Sequence, residues 1–192
     1  MLSSIHPLGE RARHNRWGLT VTSFVVGATG AGALGGSALG WIGSLLPTGD
    51  WRLGLAVSVV LVAGVADLAR VTPPGVKRQV NEDWIGAFRG WVYGVGFGIQ
   101  LGLGIATFVV TWGVYAVFAL AVLTGDPLAG AIVGGSFGLG RSAFPLAAGW
   151  IDRPSRLTAF NRAMTDAARP VARIVGTGFV IVALAGGALR LM

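Results

Sequence analysis

Residues 90–124 read GWVYGVGFGIQLGLGIATFVVTWGVYAVFALAVLT, 35 positions without one charged side chain. About 20 apolar residues carry a helix through a bilayer. The run is therefore ample for one crossing, yet short for two crossings and the turn between them. Four further apolar runs flank it: Trp17 to Leu46, Leu53 to Ala66 (extendable to Ala69 past Asp67), Pro127 to Ile151 broken only by Arg141, and Ile174 to Leu189. The first and third exceed a bilayer thickness, so they must tilt, project into the interface or contain a break.

Lys and Arg collect on the cytoplasmic side of membrane helices, which tests the number of crossings independently. With the third run as a single span and the N-terminus inside, the inner segments hold 12 of the 15 basic residues. These are Arg11, Arg13 and Arg16, then Arg70, Lys77, Arg78 and Arg89, then Arg153, Arg156, Arg162, Arg169 and Arg173. A hairpin in the third run would move the last five to the opposite face. The expected fold class is thus an all-α polytopic transmembrane helix bundle of five spans, N-in and C-out. The spans fall at about 17–46, 52–70, 90–124, 127–151 and 172–190, behind a basic cytoplasmic segment, residues 1–16. The expected location is a bacterial-type plasma membrane.

Composition agrees. The 192 residues are 53% hydrophobic and 12% charged, with mean hydropathy +0.69, whereas soluble domains carry about 25% charged residues. Half that density cannot cover a water-facing surface. The net charge of +7 does not indicate a nucleic-acid partner, because the basic residues lie between apolar runs and not on a folded patch. Ala31-Gly32-Ala33 resembles a signal-peptidase site, but apolar sequence continues to Leu46, beyond a usual signal core. The first helix is expected to be retained.

Thr48-Gly49-Asp50 follows the first span and Thr124-Gly125-Asp126 the third. This offset of 76 points to a repeat of two helical hairpins, against chance matching in a chain with 32 glycines. Two inner loops read as amphipathic interfacial helices. Val76, Val80, Trp84 and Phe88 recur every fourth position in one, and Leu157, Phe160 and Met164 mark the other. Membrane lipids, including anionic headgroups, are their expected partners. Small residues also recur every fourth position: Ala28, Gly32, Gly36, Gly40 and Ser44; Gly86 through Gly102 and Ala106; Gly130, Gly134, Gly138 and Ser142. Such ladders let helix backbones approach closely and suit homo- or hetero-oligomerisation.

Arg141 lies about 22 Å beyond Asp126 along a helix, at a depth where an arginine costs about 2.5–3.5 kcal/mol even on the translocon scale. Asp67 reaches similar depth from Asp50 and is the expected counter-ion. Pro145 leaves the Arg141 carbonyl without its helical donor and favours a kink. Tyr93, Gln100, Thr107, Thr111 and Tyr115 step by 7, 7, 4 and 4, one face of a continuous helix. Arg141, Asp67, Gln100, Thr107 and Thr111 are the candidate residues of a polar pathway or intramembrane ion pair; a structural ion pair and interhelical hydrogen bonds would use the same residues.

Catalysis finds little support: no H-E-x-x-H or G-x-S-x-G motif occurs. The chain has no Cys, and His only at His6 and His14, so no cofactor, metal or catalytic residue is expected. His6-Pro7-Leu8-Gly9-Glu10-Arg11 looks motif-like without an activity to attach. The function expected from these features is a small permease, or a translocating subunit, for a polar or anionic solute. The alternative is a non-catalytic structural or assembly subunit of a larger membrane complex.

Overall fold

A computed structural model describes residues 5–75, 83–104 and 111–191. All regular structure among them is helical: α1 (Pro7–Ala12), α2 (Trp17–Ser44), α3 (Trp51–Leu68), α4 (Asp83–Ala87), α5 (Gly90–Leu103), α6 (Gly113–Thr124), α7 (Pro127–Arg141), α8 (Ala143–Ala147), a 3-10 turn at Ala148–Trp150, and α9 (Pro154–Leu191).

Two helices, α2 and α3, are long and apolar enough to cross a membrane; α6 and the Arg173–Ala188 portion of α9 are apolar but shorter. Leu34 and Val62 are among the large apolar side chains these two helices leave exposed. Contiguous apolar exposure marks contact with lipid or another protein. The all-helical class and membrane association therefore stand, while two of the five expected spans, the first and second, are each matched by a single helix of spanning length. The third run is two helices: Gly104 takes a left-handed conformation (φ 67°) at the C-terminus of α5, which glycine adopts without a Cβ penalty, and α6 begins at Gly113. The fourth run stops as α7 at Arg141, and Pro145 lies inside the short α8, the interruption expected of that proline. The last inner loop and the last span are one 38-residue helix, α9, with Pro170 inside it. Of the expected amphipathic segment from Val76 to Phe88, only its end is described, as α4; residues 76–82 lie outside the described residues. The two Thr-Gly-Asp turns also differ: Asp126 Oδ1 accepts the Ala129 amide at 2.7 Å and caps α7, whereas Asp50 makes no such bond at the start of α3.

The chain divides into two compact units. The first comprises Met1–Ala33, Lys77–Thr107 and Gly135–Asp166. Its core is Ile5, Val21, Phe24, Ala28, Tyr93, Phe97 and Leu101, with Ala148, Ile151 and Phe160 forming a second cluster. The glycine ladder of α5 sets its register: a Cβ added at Gly94, Gly98 or Gly102 would fall on the carbonyl oxygens of Thr20, Phe24 and Ala28 respectively. The matched steps of four mean that α2 and α5 run parallel, backbone against backbone.

The second unit comprises Leu34–Val76, Phe108–Gly134 and Ala167–Met192. There α3 packs along α6. Gly36 and Gly40 of α2 meet the Gly130 and Asp126 carbonyls at the start of α7 in antiparallel order. In both units these ladder glycines are thus engaged by other helices of this chain, whereas Gly86 has nothing within 4 Å.

Candidate functional site

The first unit is organised around Glu10, whose side chain is 0% exposed. A charged carboxylate is buried only when paired and hydrogen-bonded, and Glu10 is both. Thr20 Oγ1 donates to its Oε2 at 2.8 Å, the Tyr93 hydroxyl donates to Oε1, and Arg13 Nη1 forms an ion pair with Oε1 at 2.8 Å. Three elements therefore hold one carboxylate: α1 supplies it, α2 supplies Thr20, and α5 supplies Tyr93. Asn15 ties the same elements together, its Nδ2 donating to the Tyr93 hydroxyl and its Oδ1 accepting the Gly90 amide, both at 3.4 Å.

Local sequence places Glu10. His6 caps α1, its Nδ1 accepting the Gly9 amide at 3.1 Å, and Pro7 at the first helical position has its φ already set for the helix. The Leu8 amide donates to the Ile151 carbonyl at 3.2 Å, which anchors α1. His14 then adopts a left-handed conformation (φ 58°), tolerated by His better than by most side chains, and turns the chain into α2. Burial holds the His6 imidazole below its ordinary pKa; the Arg13 charge adds to this and Glu10 partly offsets it.

Beside this network lies a cavity of about 460 Å³, lined by His14, Asn15, Arg16, Leu19, Thr20, Arg89, Gly90 and Trp91. Among the described residues its lining holds two guanidinium groups and an imidazole, and no carboxylate.

The residues expected to form a polar pathway fall into both units. Asp67 and Thr111 come together in the second: Thr111 Oγ1 donates to Asp67 Oδ2 at 2.6 Å, and the Trp112 amide donates to Oδ1 at 2.9 Å. Asp67, from α3, thereby satisfies donors at the start of α6, the work a helix N-cap does locally. Trp112 Nε1 and the Tyr115 hydroxyl donate to the Val71 and Pro74 carbonyls, fastening the segment after α3. Arg141 belongs to the first unit, half-buried at the end of α7 with its guanidinium over the Phe137 ring, 5.2 Å from the centroid. Gln100 is half-buried on α5, and Thr107 lies outside the described residues. The stripe from Tyr93 to Tyr115 presumes one continuous helix, which Gly104 ends.

Glu10 and Tyr93 were missed as a pair. The His6–Arg11 run marked the segment, but its partner lies 83 residues away, and local pattern carries no sign of so distant a donor. Among the described residues no group of three or more His, Cys, Asp or Glu could hold a metal.

These features define an all-helical, membrane-associated protein with a buried carboxylate joining its N-terminal segment to two apolar helices. The chain belongs to the MauF family. It is 32% identical over 201 residues to the "Methylamine utilization protein MauF" of Methylophilus methylotrophus, a match covering 100% of this chain and 68% of that protein. It is 31% identical over 147 residues to the protein of the same name from Paracoccus versutus, covering 73% of this chain. The chain spans about half the length of that relative, 54%. No family model matches, and no solved structure matches. The relatives correct the functional expectation: both are named for methylamine utilization and neither as a transporter. The permease reading, with its transport role for Arg141, is overturned.

Proposed function

We propose that this chain is a membrane-embedded accessory protein of methylamine utilization, one that supports the amine-oxidising enzyme without itself oxidising the amine. The observation that carries this reading is the match to a MauF protein along the whole of this chain. Its residue inventory supports the accessory role: there is no Cys in the sequence, and both His lie in the N-terminal segment. His6 is engaged as a helix cap.

In this reading the apolar runs cross a bacterial plasma membrane five times, with the N-terminus inside, as the 12 inner basic residues favour. The last crossing is made by the Arg173–Ala188 portion of α9. Because the chain has no native Cys, single-Cys variants report topology without background. Residues 75 and 155 should label from the cytoplasmic side and residue 49 from the other.

The test of function is complementation. A methylotrophic bacterium deleted for its own MauF should fail to grow with methylamine as sole nitrogen source and should show no methylamine-oxidising activity in extracts. Expression of this chain should restore both. Growth of the deletion strain at the parental rate, or restored protein level without restored activity, overturns the proposal.

A further inference from the structure

We propose that the cavity between the starts of α2 and α5 is a binding site for a phosphate-bearing anion, filled in the membrane by the headgroup of an anionic phospholipid. This inference does not depend on the methylamine role. It rests on three observations from the first unit.

The cavity of about 460 Å³ is large enough for a polar headgroup, and His14, Arg16 and Arg89 line it with no acidic residue among the described lining residues. Arg16 and Arg89 are exposed, and neither forms a salt bridge among the described residues. Guanidinium groups recognise phosphate oxygens with two parallel donors each, so two of them across one cavity suit a tetrahedral anion.

The polar floor is already in use. Thr20 Oγ1 is committed to Glu10, and the Asn15 amide is shared between Tyr93 and Gly90. The cavity therefore keeps its shape without a ligand, and the basic groups at its mouth are the ones free to take an anion. Arg89 directly precedes α5 and makes no side-chain cap bond. The first-turn amides of that helix add a favourable field for negative charge.

The rim indicates a lipid. Leu19 and Trp91 line the same cavity and are 53% and 48% exposed. Both lie within one turn of the start of an apolar helix, where headgroup gives way to acyl chain and Trp is favoured. A phosphate among the arginines with a hydrocarbon chain along Leu19 and Trp91 satisfies both halves of the surface.

The test uses the full chain purified in a neutral detergent. Short-chain phosphatidylglycerol and phosphatidylcholine are titrated separately by calorimetry, and inorganic phosphate is then added as competitor. Phosphatidylglycerol should bind about tenfold more tightly or better, the scale expected for two arginines near a phosphate. Arg16→Gln with Arg89→Gln should abolish the preference, and Arg162→Gln, an exposed charge outside the cavity, should leave it intact. If the double variant fails to fold, each single variant should show a loss of about threefold. Displacement by millimolar inorganic phosphate assigns the affinity to the phosphoryl group alone; its failure assigns it to the whole lipid; either supports the site. Equal binding of the two lipids, or an unchanged preference in the folded arginine variants, overturns it.

Discussion

Replacing Glu10 by alanine tests the central contact of the first unit. The substitution leaves two fully buried side chains, Thr20 and Tyr93, without their principal acceptor. An orphaned buried hydroxyl costs about 1–3 kcal/mol. Thr20 keeps a long bond to the Arg16 carbonyl at 3.4 Å, which places it near the lower end, about 1 kcal/mol. Tyr93 keeps contacts in which its oxygen accepts, from Asn15 at 3.4 Å and from Arg13, but its own proton loses its acceptor, and it is assigned about 2 kcal/mol. The void left by the truncated side chain adds about 1 kcal/mol. The Arg13 pair adds little, because its side chain is 31% exposed and screened. The sum, about 4 kcal/mol, lies within the range of about 3–5 kcal/mol for removing one partner of a buried pair.

Glu10→Gln keeps the volume and one acceptor, and should cost about 2 kcal/mol. The energy appears as undocking of α1, which exposes the bonds after Arg11 and Arg13 to trypsin. When reclosing outpaces cleavage, the rate follows the open population. E10A should then be cut about a thousandfold faster than the parent and E10Q about thirtyfold faster. Cleavage of E10A within threefold of the parent would refute the reasoning. Equal rates for the two variants would show that neither the retained volume nor the single remaining acceptor holds the segment, and that the full carboxylate is required.

Gly36→Ala should destabilise by more than about 2 kcal/mol, because its Cβ would fall on the Gly130 carbonyl. Gly30→Ala, with nothing within 4 Å of the added atom, should gain about 0.5–1 kcal/mol of helix propensity; thermal unfolding in detergent compares them. Asp67→Ala should speed hydrogen exchange at the Trp112 amide by about tenfold or more, measured by mass spectrometry, while Glu10-dependent protection of the first unit stays unchanged. The lowered pKa of His6 implies that α1 docking is at full strength above about pH 6.5, the unfolded value. It weakens as pH falls below that, because the undocked imidazole takes up the proton first, and it levels off once pH is below the folded value. From pH 8 to pH 5, trypsin cleavage of the parent should rise relative to that of His6→Asn, which caps without titrating, the ratio cancelling the fall in trypsin's own activity.

Apolar length, charge placement and glycine periodicity were legible because each is a property of neighbouring residues. The uncharged run from Gly90, the basic segments between runs and the ladders at steps of four all describe what a stretch of chain does wherever it is placed. They sufficed for an all-helical, membrane-associated class and for close backbone packing at Gly36, Gly94 and Gly98. Pro145 likewise announced its break, since its missing donor is a local fact. Gly104 was harder: a glycine tolerates both the helix and its end, and the surroundings choose between them.

The candidate site was almost wholly a tertiary matter. Glu10 sits among basic neighbours in a segment that reads as solvated, yet it becomes the most buried charge among the described residues because Thr20 and Tyr93 are brought to it from two other helices. Asp67 reads as half of an ion pair and instead caps α6 through Thr111 and Trp112. Sequence alone determined which stretches are helical and fit for lipid, since burial of apolar length is decided locally. The fold decided which polar group meets which, because a hydrogen bond depends on ångström-scale placement of residues tens of positions apart, and no local pattern encodes that distance.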